Sequence, residues 1–128
     1  MLRPGSNATL KVLAVAAVLT ALLLGSVTAA QASPISRANA LRQARQYLQF
    51  EPFSLKGLIG QLKYEGYSTS DATYGASHSG ANWMAQAVRK AKEYLKLQPF
   101  SFSGLVGQLE YEGFTHAQAV HGAHAVGL

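Results

Sequence analysis

The sequence predicts an all-α protein: two tandem copies of a three-helix, helix-turn-helix-like repeat behind an N-terminal signal peptide. Three observations predict it. A shift of 47 residues aligns residues 40–76 with 87–123 without a gap, and 19 of the 37 pairs are identical, which marks a tandem duplication. Apolar residues in each copy recur at three-to-four spacing, the period of an amphipathic helix. Proline and glycine fall at equivalent places, Pro52 and Pro99, Gly66 and Gly113, and divide both copies into segments of helical length. The chain therefore divides into a signal peptide at 1–32, a first repeat at 33–80 and a second at 81–128.

The leader has the three parts that export requires. Arg3 and Lys11 supply positive charge, Val12 to Leu24 form an apolar run, and Gly25 to Ala32 form a small-residue tail. Ala30-Gln31-Ala32 fits the small-x-small pattern of a signal peptidase site and places the cut between Ala32 and Ser33. Thr28-Ala29-Ala30 fits less well. The alternative is an uncleaved leader that holds the chain on the membrane, since residues 12–30 come close to the roughly 20 apolar residues that span a bilayer. The short apolar core, followed by Gly25, Ser26 and Thr28, favours cleavage.

The chain has 11 lysines and arginines against 6 acids. Removing Arg3 and Lys11 with the leader leaves nine cations against those six, a mild excess suited to anionic envelope polymers. There is no cysteine, so neither a disulfide nor a lipidated cysteine is available, and helix packing must supply stability.

The first segment of copy one places Leu41, Ala44 and Leu48 on one stripe, with Ala40 and Tyr47 beside them and Ser36 as cap. In copy two the stripe is Trp83, Ala87, Ala91, Tyr94 and Leu95, capped by Asn82, with Arg89, Lys90, Lys92 and Lys96 facing away. Pro52 and Pro99 end these helices. The second segments open at Ser54 and Ser101, whose hydroxyls can accept from a first-turn amide, and run to Glu65 and Glu112. Gly66 and Gly113 then suit the left-handed conformation that follows a helix end. The third segments open with Ser68 to Asp71, a capping box in which Asp71 reaches back to the Ser68 amide, and with Thr115 to Gln118. Ala72, Gly75 and Ala76, matched by Ala119, Gly122 and Ala123, give them a small-residue face that can sit close to a neighbour. One copy alone is too short to bury a stable core. The short polar link from Ser77 to Ala81 predicts contact between the copies, as one shared core or as two units.

Residues 40–48 read Ala-x-x-x-Ala-x-x-Tyr-Leu, and residues 52–68 read P-F-S-x-x-G-L-I-G-Q-L-x-Y-E-G-Y-S; both recur in copy two. This pattern resembles the Ltp-like helix-turn-helix repeat of bacterial and phage surface lipoproteins, over Asn39 to Ala123. The resemblance implies a small extracellular helical module. In phage-encoded members it implies superinfection exclusion, in which the DNA of another phage is blocked at the cell envelope. The missing cysteine departs from the family where lipid attachment would be made.

A helix-turn-helix suggests DNA binding, and Leu62 to Gly66 followed by a helix from Thr69 has the spacing of the DNA-binding unit. A reading helix needs cations or amides to meet phosphates and base edges. Thr69 to His78 has neither, and His116 to His124 offers Gln118 and histidines, which argues against sequence-specific DNA binding. The pairs Gly57-Leu58-Ile59-Gly60 and Gly104-Leu105-Val106-Gly107 enclose apolar residues, unlike a phosphate cradle, and predict close helix packing instead. His116, His121 and His124 lack a nearby cysteine or acid to complete a metal site. The serines are placed as caps and the acids are few, so no catalytic residue, cofactor or metal ligand is assigned and the chain does not read as an enzyme.

What remains is binding. Phe53 and Phe100 begin the second helices, and Tyr67 and Phe114 flank the turns beside Tyr64 and Tyr111. Most of these aromatics, Tyr64 and Tyr111 among them, read as core residues; where they are exposed instead, Phe53, Tyr67, Phe100 and Phe114 are the candidate partner-contacting residues. The duplication would then present two similar aromatic patches. The sequence thus describes a secreted or envelope-associated binding protein, acting on a protein partner such as a phage tail component. The alternative class is a surface structural module that binds cell-wall glycan.

Overall fold

The computed structural model describes residues 33–128, which form six α-helices and no strand. The leader at 1–32 and Ala32 of the expected cleavage pair lie outside the described residues. Copy one comprises α1 (Pro34–Phe50), α2 (Leu55–Tyr64) and α3 (Thr69–Ser77); copy two comprises α4 (Trp83–Leu97), α5 (Phe102–Tyr111) and α6 (His116–Ala125).

The helix ends follow local chemistry. Ser54 and Ser101 cap α2 and α5 by accepting from the amides of Gly57 and Gly104, and Asn82 caps α4 through the Ala85 amide. Gly66 and Gly113 both have φ of +100°, so the turn after each second helix uses a conformation that L side chains rarely adopt. The first helix starts earlier than its apolar stripe suggests. Ser33, and not Ser36, is its cap, because Pro34 takes the first helical position, where a missing amide hydrogen is harmless. The two third helices differ at their starts. Gln118 completes the box by accepting from the Thr115 amide at 3.0 Å, whereas the carboxylate of Asp71 does not reach the Ser68 amide. Aspartate is one methylene shorter, and Asp71 faces Arg37 Nε at 3.9 Å instead.

Within each copy the third helix packs most extensively against the first and next against the second. The small faces make that approach possible. A Cβ on Gly75 would lie 2.7 Å from the carbonyl carbon and oxygen of Ala40, and one on Gly122 would lie 2.9 Å from the Ala87 carbonyl oxygen. The G-x-x-G pairs behave differently. Gly60 and Gly107 have open space where a Cβ would stand, and Gly104 meets its own capping serine. Of the four, Gly57 alone approaches another backbone, with the Glu112 carbonyl 3.2 Å from its would-be Cβ. Close helix packing thus lies on the third helices and not at these pairs.

Two separate cores result. Tyr47, Phe53, Leu58 and Leu62 lead the first, and Tyr94, Leu105, Leu109 and Phe114 the second. Matching edge-to-face pairs, Tyr47 with Phe53 and Tyr94 with Phe100, have ring centroids 5.7 Å apart. Two residues of the expected α4 pattern serve the other copy. Trp83 packs against the first core, and Lys90 does not face water but is buried beside Glu51, at 3.9 Å. Periodicity within one helix could not show this, because the partner belongs to a distant segment.

Candidate interaction surface

Each copy holds one polar cluster at its turn. The Tyr47 hydroxyl donates to the Glu65 carboxylate and accepts from Gln61 Nε2 at 3.3 Å; Tyr94 donates to Glu112 and accepts from Gln108 Nε2 at 2.9 Å. Burial, reinforced by the neighbouring carboxylate, pushes both phenols well above their ordinary value, so the hydroxyls stay protonated donors. The cluster ties the residue that caps the end of each second helix to the last turn of the first, which holds the turn at Gly66 or Gly113 in place. This is the structural role that a glutamate ahead of a turn glycine suggests.

Directly before these glutamates stand Tyr64 and Tyr111, 67% and 75% exposed. They are the most open tyrosines at equivalent positions, and each sits on a turn held from beneath. Helical geometry explains their exposure: Leu58, Gln61 and Leu62 face inward on α2, and two further residues turn the chain about 200° away. That step was available in the sequence, but the aromatic character of Tyr64 and Tyr111 pointed toward the core instead.

The four nominated aromatics divide. Phe53 and Phe114 are 5% and 4% exposed and sit in the two cores. Tyr67 and Phe100 pack against those cores with part of their surface open. The structure therefore does not bring the four together on one face. Phe50, Leu97 and Phe102 are further exposed apolar residues, at 66%, 49% and 38%.

No group of three His, Cys, Asp or Glu residues among the described residues is arranged to hold a metal. Contrary to the expectation that no acid stands near the C-terminal histidines, Glu110, six residues earlier at the end of α5, pairs with His116 at 2.9 Å across the turn; His124 stacks on Phe102 and His78 on Tyr74. A shallow groove of about 420 Å³ runs beside α1 between Pro34, Arg37, Leu41 and Tyr74, with the Arg37 guanidinium 4.7 Å from the Tyr74 ring centre. It brings together no acid–base or nucleophilic set. The exposed positions of α3, among them Thr69, Ser70 and Thr73, carry no cation.

Two capped, duplicated repeats with these turns match one known family over residues 36–78 and 82–125, the family described as host cell surface-exposed lipoprotein, Ltp. The chain belongs to the Ltp family. A solved structure, Ltp, a superinfection exclusion protein from the Streptococcus thermophilus temperate phage TP-J34, superposes with a TM-score of 0.67 at 27% identity. The match covers 73% of this chain and 97% of that one. No curated protein matches the chain. The family description places Ltp proteins at the host cell surface. No helix of the described residues is long and apolar enough to cross a membrane.

Proposed function

We propose that this chain is a non-catalytic binding protein at the cell surface that excludes a second phage by blocking injection of its DNA. The observation that carries the reading is the coverage: nearly the whole of a phage superinfection exclusion protein, 97% of its chain, is reproduced by the two repeats. Residues 1–32 would act as the export signal, cut between Ala32 and Ser33. The partner is a component of the incoming phage tail.

Tyr64 and Tyr111 form the contact. A tyrosine exposes a large amphipathic surface with few rotatable bonds, which makes it an effective anchor at an interface. Their turns are held by the buried Tyr–Glu–Gln clusters, so little further ordering is needed on binding. Tyr67 and Phe100, partly open, can extend this contact, while Phe53 and Phe114 support it from the cores. Two equivalent anchors on one chain engage a repetitive partner with avidity.

Plating efficiency on cells expressing the chain tests the reading. Protection should fall about tenfold or more in Tyr64→Ala or Tyr111→Ala and vanish in the double variant, as expected for linked sites. Full protection by the double variant would sink the tyrosine assignment. Absence of protection against every phage by the wild-type chain, with normal surface display, would sink exclusion and favour a wall-glycan role.

A further inference from the structure

The two copies meet through different halves of the same repeat. Copy one offers a receiving face around residues 51–57, and copy two offers a presenting face made by Gln86, Arg89, Lys90, Glu112 and Gly113. Across this junction Ser54 Oγ donates to the Glu112 carbonyl at 2.6 Å, and the Phe53 amide donates to Gln86 Oε1 at 3.2 Å. Arg89 donates to the Leu48 carbonyl at 3.1 Å, and Lys90 faces Glu51 at 3.9 Å. A contact between unlike faces of a duplicated unit is heterologous, so one face of each kind is left over.

The leftover receiving face is on copy two, at Gln98, Ser101 and Gly104. The leftover presenting face is on copy one, at Asn39, Arg42, Gln43, Glu65 and Gly66. Their burial follows from this. Ser54 is 2% exposed and Lys90 3%, whereas Ser101 is exposed and Gln43 half-buried.

The chemistry of the two open faces matches. Ser101 repeats the Ser54 hydroxyl, and Glu65 repeats the carbonyl that such a hydroxyl meets. Arg42 is already held by Asn39 Oδ1, as Arg89 is by Gln86 Oε1. Gly113 leaves room for Ser54 and Lys56, whose atoms would lie 2.7 and 3.1 Å from its Cβ, and Gly66 keeps the same room. The ion pair changes on both sides together: Glu51 and Lys90 become Gln98 and Gln43. Two amides can bond one another, so docking these faces leaves no unpaired buried charge.

We propose that the receiving face of copy two binds the presenting face of copy one in a second copy of this chain. Head-to-tail assemblies then repeat the internal junction. Without the covalent link and the ion pair the contact is weaker than the internal one, so assembly rises with concentration.

Sedimentation velocity of the full chain over a concentration series tests this, with one double variant taken from the opposite copy and one single variant at an exposed position, both chosen to preserve the fold. Gln43→Lys with Gln98→Glu restores the Lys90–Glu51 arrangement between molecules and should move the association midpoint about tenfold lower in concentration. Arg42→Glu, at an exposed position, should move it about tenfold higher by removing a charged donor. A wild-type chain that stays monomeric up to about millimolar concentration would overturn the proposal. So would a midpoint that either variant leaves unmoved, since association through the leader or another surface would ignore both.

Discussion

Alanine at Gly75 and alanine at Gly107 should move the melting temperature in opposite directions, although both replace a glycine inside a helix. An added Cβ at Gly75 would lie 2.7 Å from two backbone atoms of Ala40, so α3 must move away from α1. Overpacking of this kind costs about 1–3 kcal/mol, and the better helix propensity of alanine returns about 1. A backbone cannot rotate aside as a side chain can, so the net loss should be about 1–2 kcal/mol. At about 4–8 °C per kcal/mol for a domain of this size, the melting temperature falls by roughly 4–16 °C. At Gly107 nothing lies within 4 Å of the added atom, so the propensity gain of about 0.5–1 kcal/mol stands alone and raises the melting temperature by roughly 2–8 °C. Thermal unfolding followed by circular dichroism at the helix band measures both. Shifts of the same sign would refute the assignment of close approach to the third helices.

Other expectations follow from the junction and the turns. Lys90→Ala breaks the ion pair with Glu51, in which both side chains are buried, and should cost about 3–5 kcal/mol, while Lys90→Gln with Glu51→Gln should be near neutral; urea midpoints separate the two. Ser54→Ala removes a cap and the bond to the Glu112 carbonyl, so it should cost more than Ser101→Ala, which removes a cap worth about 1 kcal/mol. Because burial raises the Tyr47 and Tyr94 phenols, the unfolded chain loses these protons first as pH passes about 10. Stability held below that pH is therefore lost above it. Absorbance titration should show these two tyrosines ionising only as the fold opens, and phenylalanine at both positions should flatten the alkaline loss.

The duplication made most of the fold legible. Caps at Ser54, Ser101 and Asn82, the turn glycines and the small faces of the third helices are local signals, read from neighbouring residues in one chain segment. The misplaced features depend on distant partners. Lys90 reads as solvated until Glu51 of the other copy is seen beside it, and Trp83 reads as part of its own stripe until the first core receives it. Asp71 was paired by motif with the Ser68 amide, but one methylene and the presence of Arg37 decide otherwise. At the candidate surface, aromatic residue type nominated Phe53 and Phe114, while helical angle, read from Leu58 and Leu62, leads to Tyr64. Hydrophobicity and position conflict there, and position governs exposure.

If the proposed exclusion holds, the protein acts after a phage has attached and before its genome is inside. Internalised phage DNA, measured per adsorbed particle in cells with and without the chain, tests it most directly. Adsorption should be unchanged and internalised genomes reduced at least about tenfold, the size also expected for protection in the plating assay. Equal genome counts per adsorbed particle, or a loss confined to adsorption, would contradict it.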